Sequence, residues 1–260
     1  MSRFIDDLNR VAKAAAPPMG FRAARQTSSG PRLRLVASLA NMEDAGNADL
    51  VDGADAVLLR LAKADLTAKA RPKIAGTLPD IPWGGWLEDV GARKVATLVE
   101  AGADFVVFPP SSQVAAAPQD DKTGKILQVE SSLSDGLLRA INDLPVDAVL
   151  TADASEAGGS TWHHLMLFQR LANLLAKSLL VMAPSDVTAD ELRTLWEAGV
   201  DGVVVGVSAG SAGRLRELRQ SVEKFPPRSR KRGRAEAILP RVSTAPEAEP
   251  EEEEGDDGDE

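Results

Sequence analysis

The phrase "LVEAGADFVVF" at residues 98–108 returns as "LWEAGVDGVVV" at 195–205, and looser copies stand at 50–59 ("LVDGADAVLL") and 141–150 ("INDLPVDAVL"). A chain that repeats one instruction four times, at intervals of 43–54 residues, is built from like units set side by side. Each part of the phrase has a mechanical task. Gly53, Gly102 and Gly199 suit the left-handed conformation that closes a helix, and Pro145 ends one because it lacks a backbone donor. An aspartate follows each time, Asp55, Asp104, Asp147 and Asp201, at the start of an apolar run that reads as a strand. Their expected work is local hydrogen bonding at the strand start.

Between the copies runs a second series, "RLRLVASLA" (32–40), "KIAGTLP" (73–79), "KILQVESS" (125–132) and "KSLLVMAPS" (177–185). Interleaving the two series predicts eight strands, at 33–39, 56–61, 73–78, 105–108, 125–130, 148–152, 178–183 and 202–207. Most are continuous apolar runs, as strands covered on both faces require. Helices are predicted at 87–101, 134–143, 161–176 and 188–198, the last opened by Thr188 and Glu191 as a capping box. Strand–helix alternation of this length predicts an α/β fold, a closed (β/α)8 TIM-like barrel. A doubly wound open sheet is the rival, but no glycine fingerprint follows the first strand. An extra amphipathic helix at 2–16, with Phe4, Ile5, Leu8 and Val11 on one side, is placed to plug the barrel's N-terminal end. The predicted organisation is an N-terminal helix and linker (1–31), the barrel (32–225) and a charged tail (226–260).

Composition narrows the chemistry. The chain has no cysteine and no tyrosine, which excludes disulfides, thiolate nucleophiles, Cys-ligated zinc and tyrosyl acid–base chemistry. The net charge of −9 gathers in the tail, where residues 226–260 hold six Lys and Arg against eleven Asp and Glu. There "RSRKRGR" (228–234) precedes "EAEPEEEEGDDGDE" (247–260), a composition expected to be disordered because it buries too little apolar surface to offset its ordering entropy. The basic run would contact nucleic acid only against competition from the acidic run, so nucleic acid is not the expected partner. No segment reaches the roughly 18 apolar residues of a membrane span. The opening "MSRFIDDLNRVAKAAAPP", with Asp6 and Asp7 inside its pattern, does not read as a secretory signal, and the expected compartment is the cytoplasm.

The segment "LLVMAPSDVTADELRTLWEAGVDGVVVGVSAGS" (179–211) resembles the closing units of aldolase-type and ribulose-phosphate-binding (β/α)8 barrels. The likeness is close over about 35 residues there and one of rhythm elsewhere. In those families backbone N–H groups after strands seven and eight hold a phosphate. The resemblance carries that role onto Gly206 and Val207, with Ser208, Gly210 and Ser211 in the turn that follows. After strand seven, where the families have Gly-Gly, this chain has Pro184, Ser185 and Asp186. Pro184 removes a donor, and a carboxylate ~5 Å from an anion costs about 3 kcal/mol at an effective dielectric of ~20. A second candidate for anion binding is "EAGGST" (156–161).

In a barrel of this kind chemistry gathers at the strand C-termini. The candidates there are Ser38, Asn41, Arg60, Lys63, Thr77, Asp80, Glu130, Asp153, Ser185 and Asp186. Gln128, Glu130 and Ser132 alternate with apolar neighbours, so they are expected to face the barrel axis. Glu130 with Asp153 forms a carboxylate pair suited to divide acid and base roles, and Arg60 approaches from across the mouth. The bland reading of this trio is a structural ion-pair cluster. Trp83 and Trp86 fall in the predicted third loop "PDIPWGGW", with Gly84 and Gly85 as a hinge, where the indoles would stack on a ligand or seal the mouth. His163 and His164 are adjacent near a helix start and point about 100° apart, so no metal site and no cofactor is expected. The helix at 162–177 is apolar on more than one face, which points to a homodimer.

Two functions fit. One is an enzyme or binder of a small phosphorylated or carboxylated metabolite, of lyase or isomerase type. The other is a barrel without catalysis that meets partners through its tail and apolar helix.

Overall fold

The computed structural model describes residues 2–14, 32–40, 44, 46–61, 80–87, 91–118, 120–152, 160–226 and 228. The remaining tail, and the expectations placed on it, lie outside the described residues. Eight parallel strands close into a barrel in chain order: β1 (Arg34–Leu39), β2 (Ala56–Leu61), β3 (Trp83–Leu87), β4 (Phe105–Phe108), β5 (Gly124–Val129), β6 (Ala148–Thr151), β7 (Ser178–Ala183) and β8 (Gly202–Val207). Among the described residues the α-helices are α1 (Arg3–Ala14), α2 (Ala48–Val51), α3 (Ala92–Glu100), α4 (Asp135–Ala140), α5 (Trp162–Leu174), α6 (Ala189–Ala198) and α7 (Arg214–Val222). None is long and apolar enough to cross a membrane.

Strand alternation sorts the apolar side chains into two sets. Val36, Leu58, Trp86, Phe105, Val107, Ile126, Leu150, Leu180, Met182 and Val204 fill the barrel interior. Leu35, Val57, Leu59, Trp83, Val106, Val149, Leu179 and Val203 face outward into the layer packed with Leu98, Phe168, Leu195 and Leu215 of the helices. As the apolar stripe of α1 predicts, Phe4, Ile5 and Leu8 join the interior set and stopper its N-terminal end. The Phe4 ring lies 4.8 Å from that of Phe105.

The repeated aspartates clasp neighbouring strands. Asp55 donates its N–H to the Leu35 carbonyl at 2.7 Å and takes the Leu35 N–H on its carboxylate at 2.8 Å. Asp147 treats Lys125 in the same way, and Asp201 treats Leu179. Asp104 keeps the backbone half, its N–H on the Trp83 carbonyl, but turns its carboxylate to α1. The phrase's aspartate is therefore a strand-register clamp at the base of the barrel. Gly53, Gly102 and Gly199 take the left-handed conformation the phrase requires, and Thr188 and Glu191 form the predicted capping box of α6.

One strand differs from the sequence expectation. Residues 73–78 lie outside the described residues, and the third place in the barrel is taken by Trp83–Leu87, paired with β2 through Val57↔Trp83 and Arg60↔Trp86. The Gly84–Gly85 pair is therefore a strand centre, and it is no hinge. A Cβ on Gly84 would stand 2.4 Å from the Phe105 ring, and one on Gly85 2.6 Å from Leu98. Glycine in this strand marks close approach by neighbours.

A second difference concerns the chain after the barrel. Arg228, the first residue of the basic run, is buried against the barrel base, where it pairs with Asp201 at 3.1 Å and lies 3.7 Å over the Trp196 ring. Trp196 in turn donates its indole N–H to the Pro226 carbonyl at 3.2 Å.

Candidate functional site

The N-terminal helix α1 closes one end, and the strand C-termini, where this fold gathers its chemistry, lie at the other. Register places Ser38 of β1 beside Gly206 of β8 and Arg60 of β2 beside Trp86 of β3. These inward positions form an arc along four consecutive strands. Trp86 is nearly buried and lies on the apolar interior formed by Leu58, Val107 and Ile126. Its indole N–H reaches across to the Gln128 side-chain oxygen on β5 at 3.1 Å, so the ring spans part of the mouth as a floor. The Arg60 guanidinium carbon sits over that ring at 4.8 Å from its centroid, and the side chain is otherwise exposed. An arginine held this way loses rotamer freedom to the ring contact and presents N–H edges to solvent.

Gln128 faces the axis as alternation requires. Glu130 stands one residue beyond the end of β5, exposed, and accepts a hydrogen bond from the Ser132 hydroxyl at 3.3 Å. Asp153 lies outside the described residues, as do Asn41, Lys63, Thr77 and the glycines of 156–161. Of the proposed catalytic group the described part is thus Arg60 over Trp86, with Glu130 at the end of the strand that carries Gln128.

The two tryptophans of "PDIPWGGW" part company. Trp86 belongs to the mouth, but Trp83, three residues earlier, is buried in the outer apolar layer and does not line the mouth. The loop reading failed for both because they belong to a strand. Asp80 also leaves the rim: it precedes β3, at the opposite end, where it meets Arg3 of α1 at 3.3 Å on the surface.

At the close of β8, Val207 packs outward into the helical layer, so only its backbone could serve a ligand. Gly206 has open space where a side chain would project. The next residues form a 3-10 turn, Ala209–Ser211. There the Ser208 N–H donates to the Ser211 hydroxyl at 2.9 Å, and that hydroxyl donates back to the Ser208 carbonyl. The turn's leading donor is therefore engaged internally, while Gly210 is exposed. After β7, Ser185 and Asp186 are both exposed, and Pro184 supplies a carbonyl to Val187 and no donor.

His164 caps its own helix: its Nδ1 accepts from the Thr161 N–H, and its N–H donates to the Thr161 hydroxyl, both at 3.3 Å. Among the described residues no cluster of His, Asp or Glu gathers that could hold a metal ion. On α5, Trp162 is 82% exposed and Met166 71% exposed, which places Trp162 at the surface and away from any closed site.

No family model matches the chain, and no curated protein matches it. Solved structures do. A variant tryptophan synthase alpha-subunit from the hyperthermophile Pyrococcus furiosus superposes with a TM-score of 0.55 at 14% identity, over 74% of this chain and 97% of that one. The 3-hexulose-6-phosphate synthase of Salmonella typhimurium gives 0.55 at 15%, over 73% and 98%. Thiamine phosphate pyrophosphorylase from Pyrococcus furiosus gives 0.54 at 14%, over 74% and 98%. At such identities the likeness is one of architecture: the chain shares the closed eight-stranded (β/α)8 barrel fold of these structures.

Proposed function

We propose that this barrel binds, and by acid–base chemistry transforms, a small phosphorylated or carboxylated metabolite at its C-terminal mouth. The observation that carries the proposal is the asymmetry of the barrel's ends. One end is stoppered by Phe4, Ile5 and Leu8, and the other presents Arg60, Gln128 and Gly206 around a tryptophan floor. Fold resemblance adds that the neighbours named for a phosphorylated compound, 3-hexulose-6-phosphate synthase and thiamine phosphate pyrophosphorylase, share this architecture. Fold alone does not assign a reaction, so the roles rest on the residues.

In this reading Glu130 exchanges a proton with the substrate, a step worth about 10²–10⁴ in rate where geometry is good. Asp153 is the candidate partner carboxylate from the next strand. Arg60 and the backbone donors of Gly206–Ser211 are the groups able to hold the anionic end, with Ser185 beside them. Trp86 would exclude water from below.

The test is a thermal-shift screen of the full chain against phosphorylated and carboxylated metabolites, repeated on Glu130→Gln. A hit that stabilises both proteins, and that only the parent converts, supports the reading. If no compound shifts the parent, the metabolite function is abandoned.

A further inference from the structure

The mouth offers two places for an anion, the turn after β8 and Arg60 on β2, and they are not equivalent. We infer that the anion is anchored by Arg60 on its tryptophan platform, on the opposite side of the arc from the β8 turn, and that the ligand's charged end is a terminal oxyanion, phosphate or carboxylate. This rests on the metabolite-binding reading above and refines where the ligand lies.

Four observations carry it. The Ser208 N–H, the first donor a phosphate would meet beyond β8, is spent on the Ser211 hydroxyl. Across the way, Pro184 has no N–H to offer and Asp186 places an exposed carboxylate at the end of β7. Arg214, the cation at the start of α7, is committed to the Val187 carbonyl at 2.9 Å and to Glu217 at 3.2 Å. Arg60, by contrast, meets no carboxylate among the described residues, and its guanidinium rests on the face of Trp86.

That contact matters because of where Trp86 is held. Its backbone is paired with Arg60 itself and its indole N–H is fixed on Gln128, so the platform cannot swing away with the arginine. A guanidinium resting on a ring face leaves its in-plane N–H groups for an oxyanion, the two-pronged geometry that arginine supplies and lysine does not. An anion bound there would extend the rest of the ligand along the arc toward the open space at Gly206. The arrangement thus sets the ligand's polarity: charged end on β2, uncharged end toward β1 and β8.

The experiment titrates the full chain with inorganic phosphate and, separately, with malonate, by calorimetry, for the parent, Arg60→Gln, Arg60→Lys and Arg214→Gln. Arg60→Gln is expected to weaken binding by about tenfold to a hundredfold. Arg60→Lys should recover part of it, and Arg214→Gln, at a cation already committed to Val187 and Glu217, should stay within about twofold of the parent. A melting temperature near the parent's for each unliganded variant separates lost binding from lost fold. If Arg60→Gln binds as the parent does, the anion is anchored elsewhere in the mouth; the inference falls and the metabolite reading stands. If neither anion binds the parent, both fall. Preference for phosphate over malonate, or the reverse, identifies which oxyanion the anchor serves.

Discussion

Asp104 accepts the hydroxyl of Ser2 at 2.6 Å, and this pair locks the N-terminal helix into the base of the barrel. The same carboxylate takes the backbone N–H groups of Arg3 and Phe4 at 2.8 and 2.9 Å, so it satisfies the donors that the first turn of α1 would leave unpaired. Three sister aspartates spend their carboxylates on strand clamps. This one holds the stopper. Asp104→Ala is therefore expected to destabilise the protein by about 2–3 kcal/mol, more than Ser2→Ala at about 1 kcal/mol. Urea unfolding measures both, and hydrogen exchange over residues 3–14 should rise selectively in Asp104→Ala. Equal losses for the two variants would remove the carboxylate from its central place.

Gly84 and Gly85 differ in what surrounds them. A Cβ at Gly84 meets the Phe105 ring at 2.4 Å and the Phe105 backbone oxygen at 2.5 Å, neither of which can yield. At Gly85 the nearest atom, 2.6 Å away, is a methyl tip of Leu98, which can rotate. Gly84→Ala should cost about 3 kcal/mol or more, Gly85→Ala about 1 kcal/mol, and Gly206→Ala, with nothing within reach, close to nothing. A Gly84→Ala protein as stable as the parent in urea would show that β3 has room this geometry denies.

What sequence reading could see follows from the range of the physics involved. The phrase around Asp55, Asp104, Asp147 and Asp201 was legible because each part acts on the few residues beside it: a glycine closes a helix, an apolar run makes a strand. The third strand was not legible, because Gly84 and Gly85 have no local reason to be extended. Their reason is Phe105 and Leu98, set beside them only once the barrel closes. Arg60 and Trp86 were visible as rim candidates, but their stacking depends on the β2–β3 register, which a misplaced third strand conceals. Arg228 sits in a run of like charges that reads as solvated, and its partner Asp201 belongs to the barrel base.

Glu191 gives the protein an acid-side dependence that can be isolated. Its carboxylate is held below the usual glutamate range by the Thr188 backbone N–H, against a smaller opposing effect of burial, and then by the Thr188 hydroxyl and the Ser160 N–H. The folded state thus binds this proton less readily than the unfolded chain. The stabilisation is complete above the ordinary glutamate value of about 4.3 and is lost as pH falls through the lowered folded value. Glu191→Gln should flatten the fall of stability with pH below that point while leaving the curve near neutrality parallel to the parent's. Chemical unfolding across this range reads the slopes. Identical slopes would assign the acid dependence elsewhere, with Asp120 next in line: there burial raises the pKa but hydrogen bonds from Thr123 and Lys122 outweigh it.

Arg228 and Asp201 form a pair in which both side chains are nearly sealed from solvent, at 3% and 4% exposure. In such a pair the attraction roughly offsets the desolvation of two charges, but removal of one partner leaves the other buried without that attraction. Arg228→Ala should accordingly cost about 3–5 kcal/mol, part of it from the lost contact with Trp196. Arg228→Met combined with Asp201→Asn should recover much of that, since no lone charge remains, although the Leu179 N–H still needs the oxygen that residue 201 supplies. The same reasoning fixes where the chain can be shortened. A protein ending at residue 226 loses Arg228 and should unfold at urea concentrations close to those of Arg228→Ala, with altered Trp196 fluorescence, whereas one ending at residue 230 should match the full chain. Full stability in the protein that ends at 226 would mean that Asp201 tolerates its position without the guanidinium, and the contact of Arg228 with Trp196 would then be packing without consequence.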